Sequence, residues 1–138
     1  MQKDNGYIKL GVDNNEYNVH RYVYDLQLVK TPSIIEYDKS SCIMSMEKVN
    51  NMCISDFYGD SADKVPDDIF DKIRKIIKVL YDNGIEYPDI TGYNFIEYED
   101  NIWIIDYGHA SFIKNNVVKD DFVIDFMNGL NSWNPNYR

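Results

Sequence analysis

Three oxygen-bearing side chains in one short stretch could do joint chemistry: Asp89, Asn94 and Asp106, all within YPDITGYNFIEYEDNIWIIDYG, residues 87–108. Asp89 and Asn94 bound a polar loop. Phe95-Ile96 and Ile102-Trp103-Ile104-Ile105 read as two strands joined by a Glu99-Asp100-Asn101 turn. Pairing centred on Asp100 sets Asn94 opposite Asp106, roughly 5 Å apart across the ladder. A carboxylate and an amide oxygen so placed suit a hard, octahedral cation such as Mg²⁺, and Asp89 is free to face the same point. Each aspartate alone would read as a turn or strand-end residue; the set is what carries meaning.

Elements on either side must position these groups. Pro66-Asp67-Asp68 opens a long amphipathic helix in which Ile69, Phe70, Ile73, Ile76, Ile77 and Leu80 form one apolar stripe, with Lys72, Arg74, Lys75 and Lys78 facing elsewhere. Asn83-Gly84 supplies a left-handed stop, and the chain then enters the polar loop. Upstream, Tyr7-Ile8-Lys9-Leu10 reads as a strand, and Gly11 with Asp13-Asn14-Asn15 as a turn and helix cap. A helix follows from Glu16, with Glu16, Val19, His20, Val23 and Leu26 on one stripe, ended by Thr31-Pro32. Ser33 to Tyr37 and Cys42 to Glu47 then pair around an Asp38-Lys39-Ser40 turn, completing a small sheet with the first strand. Residues 50–63 read as one short helix and a loop. Beyond Gly108 we expect a turn at Asn115-Asn116, a helix over 121–130 burying Phe122, Val123, Phe126 and Leu130, and an irregular tail whose Trp133 docks on the body.

At Tyr87-Pro88-Asp89-Ile90-Thr91-Gly92-Tyr93-Asn94 and Asp106-Tyr107-Gly108 the chain resembles the protein-kinase superfamily, whose catalytic loop reads H-R-D-x-x-x-x-N and whose metal loop reads D-F-G. The Asp-aliphatic-Thr-x-x-Asn pattern looks closest to small atypical kinases such as the one associated with the KEOPS tRNA-modification complex. The resemblance implies an α+β, minimal bilobal fold: a truncated N-lobe sheet plus one helix, and a small, mostly helical C-lobe. It implies one kinase-like domain over 1–138, with 1–49 as reduced N-lobe and hinge and 50–138 as reduced C-lobe. Asp89 would accept the substrate hydroxyl proton, and Asn94 and Asp106 would hold Mg²⁺ against the phosphates of ATP. Lys9 would contact the phosphates and pair with Glu16; Met46 would be the gatekeeper, with the backbone of Glu47 and Val49 meeting the adenine edge.

The sequence departs from that pattern in ways that bear on turnover. No glycine-rich strand pair precedes Tyr7, so a roof over the phosphates is not expected. Tyr87 stands where the family has a histidine bracing the metal loop, and a tyrosine could brace it differently. Pro88 replaces the arginine that reads activation-loop phosphorylation, and Thr91 removes a charge near the γ-phosphate. The expected function is a reduced phosphotransferase using Mg-ATP; the alternative is an inactive kinase-like binding module acting through a protein partner.

Composition narrows the surroundings. A formal charge of −9, with lysines and arginines scattered, disfavours a nucleic-acid surface and repels free ATP, so binding would lean on metal and one well-placed lysine. Cys42, in a predicted strand, and Cys53 read as free thiols of a reducing compartment. The polar MQKDNG start and the lack of any long apolar run point to a cytoplasmic protein without a membrane span. The open edge of the small sheet invites a protein partner or a second copy.

Overall fold

The protein is described from a computed structural model, covering residues 6–114 and 120–137. Strands β1 (Gly6–Lys9), β2 (Ile34–Asp38) and β3 (Ile43–Glu47) form an antiparallel sheet in the order β1-β3-β2. Tyr7 faces Met46 and Lys9 faces Met44 in register. Strand alternation therefore puts Lys9 on the face shared with two buried methionines, while Ile8 points the other way, 59% exposed. Helix α1 (Asn14–Leu26) starts where Asp13 accepts the Glu16 N–H at 2.9 Å, satisfying one of the first-turn donors. Its buried stripe is Glu16, Val19, His20 and Val23, as the periodicity predicts, while Leu26 at the helix end is only half-buried.

Boundaries in this half of the chain differ from the sequence reading. Helix α1 ends at Leu26 because Gln27 adopts a left-handed backbone (φ 56°), so the chain turns before it reaches Thr31-Pro32. Cys42 lies outside β3, in the preceding turn at φ 59°. Both cysteines are free and half-buried.

The larger core gathers around α3 (Asp67–Asp82). Ile69, Phe70, Ile73, Ile76, Ile77 and Leu80 are all buried, as their spacing predicts, a gross stabilisation of order 10 kcal/mol. Gly84, at φ 83°, then turns the chain into β4 (Ile85–Glu86). A short helix, α2 (Ile54–Tyr58), precedes α3. The hairpin β5 (Phe95–Tyr98) and β6 (Asn101–Ile104) follows, and β7 (Ser111–Phe112) returns to pair with β4. Helix α4 (Asp121–Met127) buries Val123 and Phe126, but it stops short of the predicted 130: Gly129 sits at φ 112° and Leu130 is exposed. Trp133 is buried against Phe70, ring centroids 4.8 Å apart, as expected. The predicted Asn115-Asn116 turn and Val117-Val118 lie outside the described residues. Among the described residues, no helix is long and apolar enough to cross a membrane.

Candidate active site

The β5–β6 turn holds two residues, Glu99 and Asp100, both at positive φ (51° and 66°), which is the tight turn whose twist matches a hairpin. Phe95 consequently pairs with Ile104. The pairing is centred half a residue earlier than expected, so Asn94 falls opposite Ile105, whose N–H donates to its carbonyl at 3.0 Å, rather than opposite Asp106. The physical reason is the turn: a Glu-Asp pair lacks the Asn-Gly signature that would have marked a two-residue loop. Asp106 is carried one residue past the ladder, where other contacts aim it.

Those contacts come from three directions. Lys9 Nζ donates to Asp106 Oδ1 at 2.9 Å and also pairs with Glu16. Gly108 N donates to the same Oδ1 at 2.8 Å; a side chain at 108 would bring its Cβ within 3.2 Å of that oxygen. The buried Tyr87 hydroxyl donates to the Asp106 carbonyl and so ties the start of the Asp106-Tyr107-Gly108 loop to the residue before Pro88. Tyr107, fully buried, adds a second brace through Thr31. The Thr31 hydroxyl donates to Ile104 O at 2.8 Å and so accepts from the Tyr107 hydroxyl at 2.9 Å. Burial pushes both tyrosine hydroxyls far above their ordinary pKa, fixing them as neutral donors.

Lys9, Glu16 and Asp106 thus meet although 97 residues separate the lysine from the aspartate. Burial works against the Lys9 ammonium, but the carboxylates of Asp106 and Glu16 outweigh it and hold its pKa above the ordinary value. Burial pushes the Glu16 carboxyl up, and Lys9 offsets part of that rise. Beside the triad lies a cleft of about 420 Å³ lined by Lys9, Met46, Glu47, Val49 and Asp106, with Tyr7 and Ile96 as apolar walls. Lys9, Met46, Glu47 and Val49 line this cleft with Asp106; Glu16 reaches it through Lys9, and Asp89 and Asn94 lie outside its lining. The Glu47 N–H already donates to Ser33 O (2.9 Å), so that amide is not free for a ligand; the Val49 N–H has no protein acceptor among the described residues.

The loop carrying Asp89 is held from behind. Gly92 O accepts the Ser55 N–H at 3.0 Å, and a Cβ at 92 would meet Ser55 Oγ at 2.1 Å, so the close approach of α2 requires glycine. Asn134, fully buried, donates from its backbone to Ile90 O (2.9 Å) and from Nδ2 to Pro88 O (2.7 Å). Asn94 Nδ2 donates to Asp89 O at 2.8 Å, which leaves Oδ1 without a protein donor among the described residues. Asp89 Oδ2 is 2.8 Å from His109 Nδ1, and Thr91 Oγ1 makes a long 3.4 Å contact to Oδ1. The sequence reading missed His109 and Asn134, whose partners lie 20 and 46 residues away. The histidine directly after Asp-Tyr-Gly was the available signal. His20, by contrast, is a core residue: its Nε2 lies 2.8 Å from Pro32 O, and burial lowers its pKa to about 4.

Asp106 Oδ2 and Asn94 Oδ1 are hard oxygens with no protein donor among the described residues, the chemical type that Mg²⁺ takes. Among the described residues no group of three or more His, Cys, Asp or Glu side chains forms a closed metal cage, so a metal here would draw its remaining ligands from phosphate and water.

No family model matches the chain. Among solved structures, the granulovirus kinase PK-1 of Cydia pomonella superposes with a TM-score of 0.57 at 15% identity, covering 83% of this chain and 46% of that one. The fold is kinase-like. The Rad53 kinase domain with SCD2 gives 0.51 at 20% identity, over 76% of this chain and 44% of the other. The Rv3197–erythromycin complex of Mycobacterium tuberculosis gives 0.51 at 15%, over 71% and 26%. The kinase-like chain therefore spans less than half the length of each of these neighbours, and the identities speak to fold alone.

Proposed function

We propose that the chain binds Mg-ATP and transfers its γ-phosphoryl group to a hydroxyl acceptor. The observation that carries this reading is Lys9, held between Glu16 and Asp106 at the edge of a nucleotide-sized cleft. Two carboxylates keep its ammonium charged and aimed where phosphate oxygens would lie. Asn94 Oδ1 and Asp106 Oδ2 would hold the metal, which when bound neutralises charge on the phosphates. Asp89 takes the acceptor's proton as the oxygen–phosphorus bond forms and the bond to ADP breaks. Val49 N–H meets the adenine edge beyond Met46 and Glu47. The Asp89-Ile90-Thr91-x-x-Asn94 pattern supports kinship with small atypical kinases such as the KEOPS-associated one, working in the cytoplasm. β1 is a free sheet edge among the described residues, which a protein partner or second copy would cover.

A second reading, a kinase-like binding module without turnover, is favoured by one observation: both Asp89 oxygens already have protein neighbours, His109 and Thr91. Thermal unfolding with Mg²⁺, ATP and Mg-ATP, run alongside phosphate release by the parent and Asp89→Asn, separates the two. The phosphotransferase reading expects a Mg-dependent stabilisation and release abolished by Asp89→Asn. Stabilisation with no release leaves the binding module; no stabilisation at concentrations up to millimolar removes the nucleotide from both.

A further inference from the structure

A second groove, sharing no lining residue with the cleft, lies where three elements meet: the α1–β2 connection (Leu28, Lys30), α3 (Lys72, Lys75, Val79) and the start of β6 (Ile102). Its volume is about 260 Å³. The chain carries a net −9, yet this groove brings three lysines together against one aspartate, Asp100. The lysines are loosely engaged. Lys72 Nζ is 3.2 Å from the Asp100 carbonyl and 4.0 Å from Asp68, itself largely solvated. Lys30 rests 5.9 Å from the centre of the Trp103 ring, and Lys75 has no protein partner among the described residues.

We propose that this groove docks an acidic peptide segment with aliphatic side chains, contributed by a protein partner. Charge complementarity selects the sign. On a surface otherwise acidic, a local cluster of ammonium groups focuses the field and draws anionic segments to one place while the remainder repels them. The floor selects the class. Ile102 and Val79 are apolar, and Leu28 stands 58% exposed beside them, a surface that a phosphate or a lone metabolite carboxylate would leave uncovered. A peptide alternating acidic and aliphatic residues satisfies both, with carboxylates on Lys30, Lys72 and Lys75 and side chains on the floor. The space is below the ~300–1,000 Å³ of small-molecule pockets and suits side chains projecting from a passing extended segment.

The test is fluorescence polarisation with a labelled Glu-Leu repeat peptide, against Gln-Leu and Lys-Leu peptides of equal length, on the full chain. We expect saturable binding of the Glu-Leu peptide alone, weakened by added salt. The Lys30→Glu/Lys72→Glu/Lys75→Glu triple variant should lose at least about tenfold in affinity. Lys75→Glu, at a position without partners, keeps the fold and should lose part of that, so a misfolded triple variant does not decide the outcome. Equal binding to parent and charge-reversed chains, no binding, or preference for phosphatidylserine vesicles or single-stranded RNA over the peptide each overturns the proposal. None of these readouts depends on phosphate transfer.

Discussion

Lys9→Met keeps the aliphatic stem and removes the charge that joins β1, α1 and the Asp106 loop. In the parent, the Lys9 side chain is 21% exposed, Glu16 8% and Asp106 39%. Breaking a fully buried pair costs about 3–5 kcal/mol, because the remaining charge is left without a partner. Partial solvation of Lys9 and Asp106 reduces this, and we expect a loss of roughly 2 kcal/mol at neutral pH. For a chain of this size that is a fall in Tm of about 5–10 °C. The deficit has a signature. With its cation gone, the Glu16 carboxyl, already raised by burial, moves further up and favours its proton, so the deficit should shrink as the pH is lowered toward Glu16's folded pKa. Glu16→Gln in the Lys9→Met background should likewise recover at least about 1 kcal/mol, the coupling expected of residues in one network. Urea unfolding of the parent, both single variants and the double variant supplies the cycle. If Lys9→Met unfolds within about 0.5 kcal/mol of the parent and the two substitutions simply add, the triad does not hold this site together.

Other consequences follow from single contacts. Tyr87→Phe leaves the Asp106 carbonyl without its donor and should cost about 1–2 kcal/mol by denaturant unfolding, with any Mg-ATP thermal shift reduced alongside. Gly92→Ala drives a methyl into Ser55 and should destabilise by about 3 kcal/mol; Ser55→Gly in the same chain, which removes Oγ and Cβ but leaves the backbone nitrogen 3.0 Å away, should restore part of it. His20 gives a pH dependence. Its folded pKa, about 4, lies below the ordinary 6.5, so stability is full above 6.5 and declines as the pH falls toward 4, where the unfolded chain takes a proton the folded one refuses. The 2.5-unit gap corresponds to about 3 kcal/mol. Glu16, raised by burial, acts in the opposite sense, so the comparison is with His20→Gln, which keeps a donor for Pro32 O and should flatten this part of the profile. A variant as acid-sensitive as the parent would place the titrating group elsewhere.

Much of this molecule is set by local pattern. The apolar period of α3, the Asp13 cap on α1 and the glycine at 84 act within a few residues of themselves, and each is readable as such. The pairing of Asp89-x-x-x-x-Asn94 with Asp106-Tyr107-Gly108 carried the fold class through its resemblance to the kinase catalytic and metal loops, whose residue types and spacing are written in the chain itself. Tertiary structure decided the rest. The hairpin register turned on two non-glycine residues adopting positive φ, a choice local propensity disfavours and the strand pairing on either side imposes. What surrounds Asp89 was decided by His109, arriving after a strand pair to meet its carboxylate, and by Asn134, arriving after a helix to hold the carbonyls of Pro88 and Ile90 on either side; neither partner has a spacing rule to betray it. The same holds for the lysine groove: Lys30, Lys72 and Lys75 look scattered along the chain because they belong to a loop and a helix that only packing brings side by side. Periodicity reports which face of an element is buried. What that face is buried against depends on contacts across the whole chain, and those are made only when it folds.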